Sequence, residues 1–215
     1  MPHNKTYLSI LGDSISTYPG VSNDAKANAS TAFYPCFYRA SFPLDRTYWK
    51  RTMDALGMEL CVNNSYSGGN LSGRQDETSG VNRARQLSRD DGTTPDLILL
   101  FMGLNDLGRR VPVETFCADY QETLSICKEQ YPNAKICCVN LPDRDPVMRA
   151  QTVRFNEAIS LAVERASADA FVADLFHSPL NNDCYYDNTT DGLHPDEDGM
   201  RLIAEVVIDA IRKSL

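Results

Sequence analysis

Short apolar runs alternate along this chain with longer segments in which apolar residues recur every three or four positions. Five runs have the length and composition of buried β-strands: residues 7–11, 59–62, 97–102, 135–141 and 170–175. Because strands alternate with helices, the pattern predicts a parallel sheet with helices on both faces. This arrangement is an α/β fold, a three-layer α/β/α sandwich.

The helical segments carry apolar stripes at the spacing expected of a helix with one buried face. The stripes lie within residues 49–56, 113–127, 155–166 and 203–211. No repeat, low-complexity tract or linker interrupts the pattern. We therefore expect one domain that spans residues 1–215 and is long enough to bury a full core.

The residues that follow the first three predicted strands are polar and rich in glycine. They are residues 12–14 (Gly-Asp-Ser), 63–69 and 103–106. In a parallel sheet the carboxyl ends of the strands meet at one edge, and ligands bind outside that edge. The sequence therefore predicts a polar site there, at which backbone amides are accessible.

One long segment has no clear periodicity but is rich in aromatic residues. It lies between Ser14 and Trp49, and we predict that its part at about 18–47 forms a wall or lid over the site. A second loop, residues 178–190, leads up to Asp191. The aromatics would equally suit long loops that only pack onto the body of the domain. The residues that we predict to line the substrate site are Asp13, Tyr18, Tyr34 and Tyr186.

Charge and apolar content exclude several classes of partner. A net charge of −8 argues against nucleic acid, which is bound largely by Lys and Arg. The longest apolar run, residues 97–102, is far shorter than the roughly 18 residues of a membrane-spanning helix, and residues 1–6 do not resemble a secretory signal. We expect a cytoplasmic protein, or a secreted one if a signal segment has been removed.

The seven cysteines favour reduced thiols, since their odd number leaves at least one unpaired. Cys117 and Cys127 lie too far apart on one predicted helix to form a disulfide. Cys36 and Cys184, both in loops, are the one pair that could be tested for a bond. No Cys/His cluster suggests zinc, and we expect no metal and no cofactor.

His194 alone among the three histidines combines an acid three residues before it with a predicted helix directly after it. We expect Pro195 to occupy the first position of that helix, with acidic residues in the first turn. Asp191 could then orient the imidazole of His194, and the imidazole could act as a general base. The base would serve Ser14, because a serine hydroxyl is a poor nucleophile until its proton is removed.

The tetrahedral oxyanion formed when a serine attacks an ester needs hydrogen-bond donors that are already in place. The Gly68 amide and the Asn105 side chain, each just after a strand, are candidates. Each has an alternative explanation, since Gly68 would also suit a tight turn and Asn105 a helix cap. Acidic residues between 187 and 198 partly match a calcium-binding loop, but Pro195 inside the loop argues against that.

Together, the segments that contain Ser14, Gly68, Asn105 and Asp191–His194 resemble the four ordered blocks of the SGNH (GDSL) hydrolases. The resemblance covers residues 6 to about 212. It implies a flavodoxin-like sandwich of about five parallel strands and an acyl-enzyme on Ser14. It also implies that His194 is the base, that Asp191 is its partner, and that Ser14, Gly68 and Asn105 supply the oxyanion donors. Ile15 replaces the leucine of the family name. Gly69 is a second candidate for the glycine amide that faces the oxyanion, but the spacing from Asn63 and Ser67 favours Gly68.

We therefore expect a serine hydrolase that cleaves a small-molecule carboxylic ester. Small acyl groups, such as acetyl on a sugar, suit an aromatic-lined site better than long lipid chains do. Two alternatives remain within the resemblance: a lysophospholipase or thioesterase, and a carbohydrate-binding protein on the same fold that has lost turnover.

Overall fold

The computed structural model describes residues 5–22, 32–34, 42–166 and 169–214, and only the backbone of Asn182 and Asp183. Five parallel strands form one sheet in the order β2-β1-β3-β4-β5. This is the flavodoxin-like order, in which the chain reverses direction across the sheet between β1 and β3. The strands are β1 (Thr6–Gly12), β2 (Met58–Ser65), β3 (Leu97–Phe101), β4 (Lys135–Val139) and β5 (Ala170–Ala173).

Helices cover both faces of the sheet, so the predicted three-layer α/β/α fold is confirmed. One outer layer pairs the first helix with the last, and the other pairs the two long helices of the middle of the chain. The helices are α1 (Tyr48–Leu56), α2 (Gly80–Arg83), α3 (Leu104–Gly108), α4 (Val113–Gln130), α5 (Arg149–Arg165), α6 (Asn182–Tyr185) and α7 (Glu197–Ser214). Thus α1 packs on α7, and α4 packs on α5.

The central strands form the middle of the core. Every residue of β3 is buried, as expected of a parallel strand that has helices on both faces. Phe116 and Tyr120 of α4 and Phe155 of α5 pack against each other on one face of the sheet. Each predicted strand is present. Three of the five begin at the predicted residue, and the other limits differ by one to three residues.

The start of α7 differs from the prediction. Pro195 does not open the helix; it precedes Asp196, whose carboxylate accepts a hydrogen bond from the Gly199 amide at 2.9 Å. Asp196 therefore caps the helix, and Glu197 is its first residue. An aspartate cap outweighs the preference of proline for the first helical position, because its carboxylate satisfies an otherwise unpaired amide. His194 thus lies two residues before the cap, in the loop.

The described cysteines are free thiols. Cys137 and Cys138 are fully buried in β4, whereas Cys184 is exposed. Cys36, whose possible bond to Cys184 the sequence left open, lies outside the described residues. Among the described residues, no helix is both long and apolar enough to cross a membrane.

Candidate active site

Ser14 stands directly beyond the carboxyl end of β1, at the point where the strand order reverses. The strand leads into a single 3₁₀ turn, Ser14–Ser16, which Asp13 caps by accepting a hydrogen bond from the Ile15 amide at 3.0 Å. The turn can approach the sheet closely because residue 12 is glycine: a Cβ atom there would lie 2.5 Å from the Ser16 hydroxyl. The sharp turn therefore places the serine hydroxyl at the sheet edge.

The structure brings Ser14, His194 and Asp191 into one hydrogen-bonded series. The Ser14 Oγ atom lies 2.9 Å from His194 Nε2, and His194 Nδ1 lies 2.8 Å from Asp191 Oδ2. The other carboxylate oxygen of Asp191 accepts hydrogen bonds from the backbone amides of His194, at 2.8 Å, and Leu193, at 3.0 Å. Four hydrogen bonds thus fix both the carboxylate and the imidazole that faces the serine.

Burial and hydrogen bonding set the protonation states of this pair. Burial lowers the pKa of His194 below its ordinary value, and the Asp191 carboxylate opposes that shift only in part. Burial alone would raise the pKa of Asp191, but the hydrogen bonds from His194 and Leu193 outweigh it and lower that pKa. At neutral pH the site therefore holds a carboxylate next to a neutral imidazole, which can accept a proton from Ser14.

Two backbone amides, those of Ser14 and Gly68, are available to bind an oxyanion. Among the described residues, the amides of Ser14 and Gly68 make no hydrogen bond, whereas the Gly69 amide donates to Tyr66 O at 3.0 Å. Gly68 has a φ of +72°, a conformation that favours glycine. The ambiguity between the two glycines is therefore resolved in favour of the Gly68 amide as an available donor.

Asn105 reaches the same place from α3. Its side-chain amide donates to Gly69 O at 3.1 Å and makes a longer contact, 3.4 Å, with Asp13 Oδ2. The N–H group directed at Asp13 is the one that could turn towards a developing oxyanion, because its present hydrogen bond is long and weak. Burial raises the pKa of the Asp13 carboxyl to about 7, which weakens this carboxyl as an acceptor at lower pH.

Two buried charges that the sequence pattern does not reveal hold these loops together. The Asp106 carboxylate accepts hydrogen bonds from the Leu71 amide at 2.7 Å and the Ser72 amide at 2.9 Å. Arg83 donates to Gly12 O at 3.1 Å and also binds Asn64 O. Arg83 thus links the ends of β1 and β2, and Asp106 links α3 to the loop that follows β2.

Two aromatic residues of the predicted lid cover the histidine. The ring of Phe33 stacks on the imidazole of His194, with 3.5 Å between the ring centroids and 12° between the planes. Tyr34 is fully buried, and its hydroxyl donates to Pro195 O at 2.8 Å, so it supports the His194 loop from within. Phe33 was not among the residues predicted to line the site, because a loop without periodicity does not reveal which aromatic faces inwards.

The other predicted lining residues occupy different positions. Asp13 is buried beneath Ser14, and Tyr18 is partly buried, with its hydroxyl donating to Phe42 O at 3.4 Å. Tyr186 is 54% exposed and packs beside Gly192, where a Cβ atom would lie 3.1 Å from its ring. Of these three residues, only Tyr186 offers an open aromatic face next to the Asp191–His194 loop.

A second Asp–His pair shows that the Asp-x-x-His spacing by itself is weak evidence for a catalytic pair. Asp174 and His177 are also three residues apart, and their side chains are 2.8 Å apart. However, the His177 side chain is 75% exposed, against 11% for His194, and no serine hydroxyl is bonded to it among the described residues. The serine partner therefore distinguishes the functional pair from the other.

A serine, a buried histidine and an aspartate in hydrogen-bonded series have the geometry of the catalytic triad of a serine hydrolase, here placed at the strand ends of a flavodoxin-like sheet. The chain belongs to the GDSL-like Lipase/Acylhydrolase family, whose sequence profile matches residues 10–202. It is a carboxylic ester hydrolase of that family. No protein with a curated description matches the sequence.

Solved structures of several other proteins have the same fold as this chain. A Bacteroides ovatus protein assigned as a GDSL-like lipase superposes with a TM-score of 0.77 at 23% identity, over 98% of this chain and 100% of that chain. A carbohydrate esterase family 2 enzyme with a carbohydrate-binding domain, from Corynascus thermopiles, gives 0.69 at 20% identity, over 100% of this chain and 68% of that chain. A carbohydrate esterase family 3 structure from Talaromyces cellulolyticus gives 0.62 at 16%, over 97% of both chains.

Proposed function

We propose that this protein is an esterase that removes small acyl groups from carbohydrates, through an acyl-enzyme on Ser14. The observation that carries the proposal is the 2.9 Å contact between Ser14 Oγ and His194 Nε2. At the same site, the amides of Ser14 and Gly68 have no hydrogen-bond partner in the part of the chain that the structure describes. A base within hydrogen-bond reach of a nucleophile, and donors free to receive an oxyanion, are what acyl transfer requires.

In the acylation step, His194 Nε2 takes the proton of Ser14 while Oγ attacks the ester carbonyl carbon. The carbonyl oxygen becomes an oxyanion, which the amides of Ser14 and Gly68 and the side chain of Asn105 receive. Asp191 holds the Nδ1 proton and stabilises the imidazolium that forms. When the tetrahedral intermediate collapses, the imidazolium donates its proton to the alcohol oxygen, and the alcohol leaves.

Deacylation repeats these steps with water as the nucleophile. His194 takes a proton from the water as the water oxygen attacks the acyl carbon. The second tetrahedral intermediate uses the same three donors and then collapses to the free acid. Ser14 regains its proton from His194, so the resting hydrogen bond is restored.

Two features favour a small acyl group on a sugar. Phe33 covers one face of His194 and limits the space above the imidazole. Tyr186 presents an exposed ring beside Gly192, and such a face suits the apolar side of a sugar ring. The descriptions of two of the similar structures as carbohydrate esterases agree with this substrate class but concern those proteins.

The first experiment compares the native chain with Ser14→Ala on 4-nitrophenyl acetate. We expect turnover in the native chain and its loss, by roughly 10⁴-fold or more, in Ser14→Ala. Ser125→Ala, an exposed serine of α4, is the matched control and should keep full activity. A folded native chain without any turnover would instead favour a carbohydrate-binding protein.

The second experiment ranks substrates by kcat/KM. The panel contains acetylated methyl glycosides, 4-nitrophenyl esters of increasing chain length, an acyl-thioester and a lysophospholipid. We expect acetylated glycosides to rank first and activity to fall as the acyl chain lengthens. A higher kcat/KM for lysophospholipid or thioester than for every acetylated sugar would contradict the carbohydrate assignment.

A further inference from the structure

Arg144 lies in the loop that follows β4, at the same edge of the sheet as Ser14. The loop is held in place from α5: the Asn156 side chain bonds both the amide and the carbonyl of Leu141, at 2.8 and 2.9 Å. Asp143, next in the chain to Arg144, is buried and pairs with Arg149. The position of Arg144 is therefore fixed by its neighbours.

The guanidinium of Arg144 has no polar partner among the described residues, although its Nε atom is fully buried. Three other arginines at this edge do have partners. Arg83 binds the carbonyls of Gly12 and Asn64, Arg109 donates to Gly68 O at 2.7 Å, and Arg149 pairs with Asp143. The two terminal nitrogen atoms of Arg144 also lack partners among the described residues, but they are not fully buried. An acceptor from outside the chain could therefore reach them and would stabilise this position.

Arg144 lies close enough to the catalytic loop for its charge to act there. Burial is the main cause of the lowered pKa of His194, and the positive charge of Arg144 adds to that effect. The same charge opposes the strong upward shift that burial imposes on the pKa of Tyr185. The Tyr185 hydroxyl donates to Leu193 O at 2.8 Å, in the loop between Asp191 and His194. The guanidinium thus lies within electrostatic reach of both His194 and Tyr185, at the edge of the sheet where the Ser14 loop lies.

A carboxylate is the group that best completes such a site. The guanidinium has several N–H donors in one plane, and a carboxylate accepts two of them at once. A bound carboxylate would also balance the positive charge beside His194, and so would favour the imidazolium that forms during acylation. A neutral sugar hydroxyl would do neither.

We propose that Arg144 forms a carboxylate-binding subsite at the sheet edge that holds Ser14 and His194, so that the preferred esters carry a carboxylate near the scissile bond. This inference rests on the proposed esterase function and adds the charge of the substrate to it. The carboxylate could belong to the alcohol part, as in an acylated sugar acid, or to the acyl part, as in a half-ester of a dicarboxylic acid. The chemistry at Arg144 is the same in both cases.

Two matched substrate pairs separate these sources. Methyl glucoside and methyl glucuronoside, acetylated at the same hydroxyl, differ only by a carboxylate in the alcohol part. Phenyl valerate and phenyl hydrogen glutarate differ by a carboxylate in the acyl part. Values of kcat/KM are measured at pH 8, where His194 is neutral in every variant.

We expect native protein to prefer the acid by about tenfold or more in one of the two pairs, the gain typical of a charge-assisted hydrogen bond. In Arg144→Gln that preference should disappear, and in Arg144→Lys part of it should remain. Arg201→Gln removes the same charge from the exposed face of α7 and should leave the preference as it is. The pair that shows the effect identifies the source of the carboxylate.

The inference is overturned if native protein prefers the neutral ester in both pairs, or if Arg144→Gln retains the preference. Failure of the proposed function has a different signature, because then not even phenyl valerate is hydrolysed. For that case, binding of methyl glucuronoside and of glutarate to Ser14→Ala is measured by calorimetry, with methyl glucoside as the neutral control. The subsite would also be ruled out if neither acid binds more tightly than methyl glucoside. The same conclusion would follow if the acids bind equally well after Arg144→Gln is added to Ser14→Ala.

Discussion

The ring of Phe33 lies flat on the imidazole of His194, at a centroid distance of 3.5 Å. An aromatic face attracts a cation, and His194 becomes a cation each time it takes the proton of Ser14. Phe33 therefore has a different energetic effect in the resting enzyme and during acylation. Its contact with the imidazolium favours the transition state.

Replacement of Phe33 by leucine should lower kcat by about three- to tenfold, since leucine keeps the apolar cover but lacks the aromatic face. The pKa of His194 should fall further, because the imidazolium loses a favourable contact. Phe33→Trp should keep both kcat and the pKa of His194 close to those of the native protein. The pH profile of kcat/KM and an NMR titration of His194 measure the shift. A rise of this pKa in Phe33→Leu would show that Phe33 acts only by excluding water.

For Asp191, asparagine should be a worse replacement than alanine. The Leu193 and His194 amides both donate to one carboxylate oxygen, so the asparagine carbonyl must take that place. Its amide group then faces His194 Nδ1 and donates to it, which puts the imidazole proton on Nε2, where Ser14 needs an acceptor. We expect kcat to fall by about 10⁴ in Asp191→Asn. A smaller loss in Asp191→Asn than in Asp191→Ala would contradict this arrangement.

Loss of the Asn105 side chain should affect kcat far more than KM. Asn105→Ala is expected to lower kcat by about 10²–10³, equivalent to about 3–4 kcal/mol at the barrier, because the donor is needed chiefly in the transition state. Asn105→Asp has the same size but places an acceptor 3.4 Å from Asp13, and should lose at least as much. Steady-state kinetics on 4-nitrophenyl acetate measure both effects. An unchanged kcat in Asn105→Ala would exclude Asn105 as an oxyanion donor.

The loss of activity at acidic pH should reflect the protonation of His194. Burial lowers its pKa below the ordinary value of 6.5, so the neutral base persists to lower pH. We expect kcat/KM to decline with a midpoint below 6.5, as His194 becomes protonated and can no longer accept the Ser14 proton. A midpoint above 6.5, or a flat profile from about pH 5 to 8, would contradict the role of His194 as the base.

The Asp13 carboxyl should make stability depend on pH. Burial raises its pKa from 3.8 to about 7, so the folded state binds a proton that the unfolded state releases. Stability from this group is fully present below about pH 4 and is lost as the pH rises to about 7. Asp13→Asn keeps the cap to the Ile15 amide without this loss. Relative to native protein, we expect its free energy of unfolding to gain about 2–4 kcal/mol between pH 4 and 8.

Urea unfolding at the two pH values measures that difference. Asp209→Asn, at an exposed position of α7, is the control and should show little change between them. An equal response of Asp13→Asn and Asp209→Asn would mean that Asp13 is ionised at no cost in the folded protein.

Much of this fold could be predicted from the sequence, because a strand buried on both faces must be apolar over its whole length. The five runs therefore marked the sheet, and the polar residues after them marked its ligand-binding edge. Spacing favoured the Gly68 amide as the oxyanion donor but could not exclude the Gly69 amide. The choice between the two amides depends on a turn in which the Gly69 amide donates to Tyr66 O, and two adjacent glycines do not reveal which of them closes the turn.

The positions of Phe33, Arg83 and Arg144 could not be predicted for a different reason. Phe33 contacts His194 and Arg83 contacts Gly12, and both partners are far away in the chain. Arg144 is distinguished by having no polar partner among the described residues. Local spacing carries no information about such contacts. The start of α7 was mispredicted because proline and aspartate are both favoured at helix starts, and only the hydrogen bond to the Gly199 amide distinguishes cap from first turn.

The hydrogen bond between Ser14 and His194 joins residues 180 positions apart. During synthesis the serine leaves the ribosome early, and it remains an ordinary alcohol until α7 docks against α1 and brings the imidazole to it. Contacts of such long sequence separation form late in folding, since a large loop must close first. A growing or misfolded chain therefore cannot hydrolyse esters, and in a refolding experiment the return of esterase activity would report completion of the native topology.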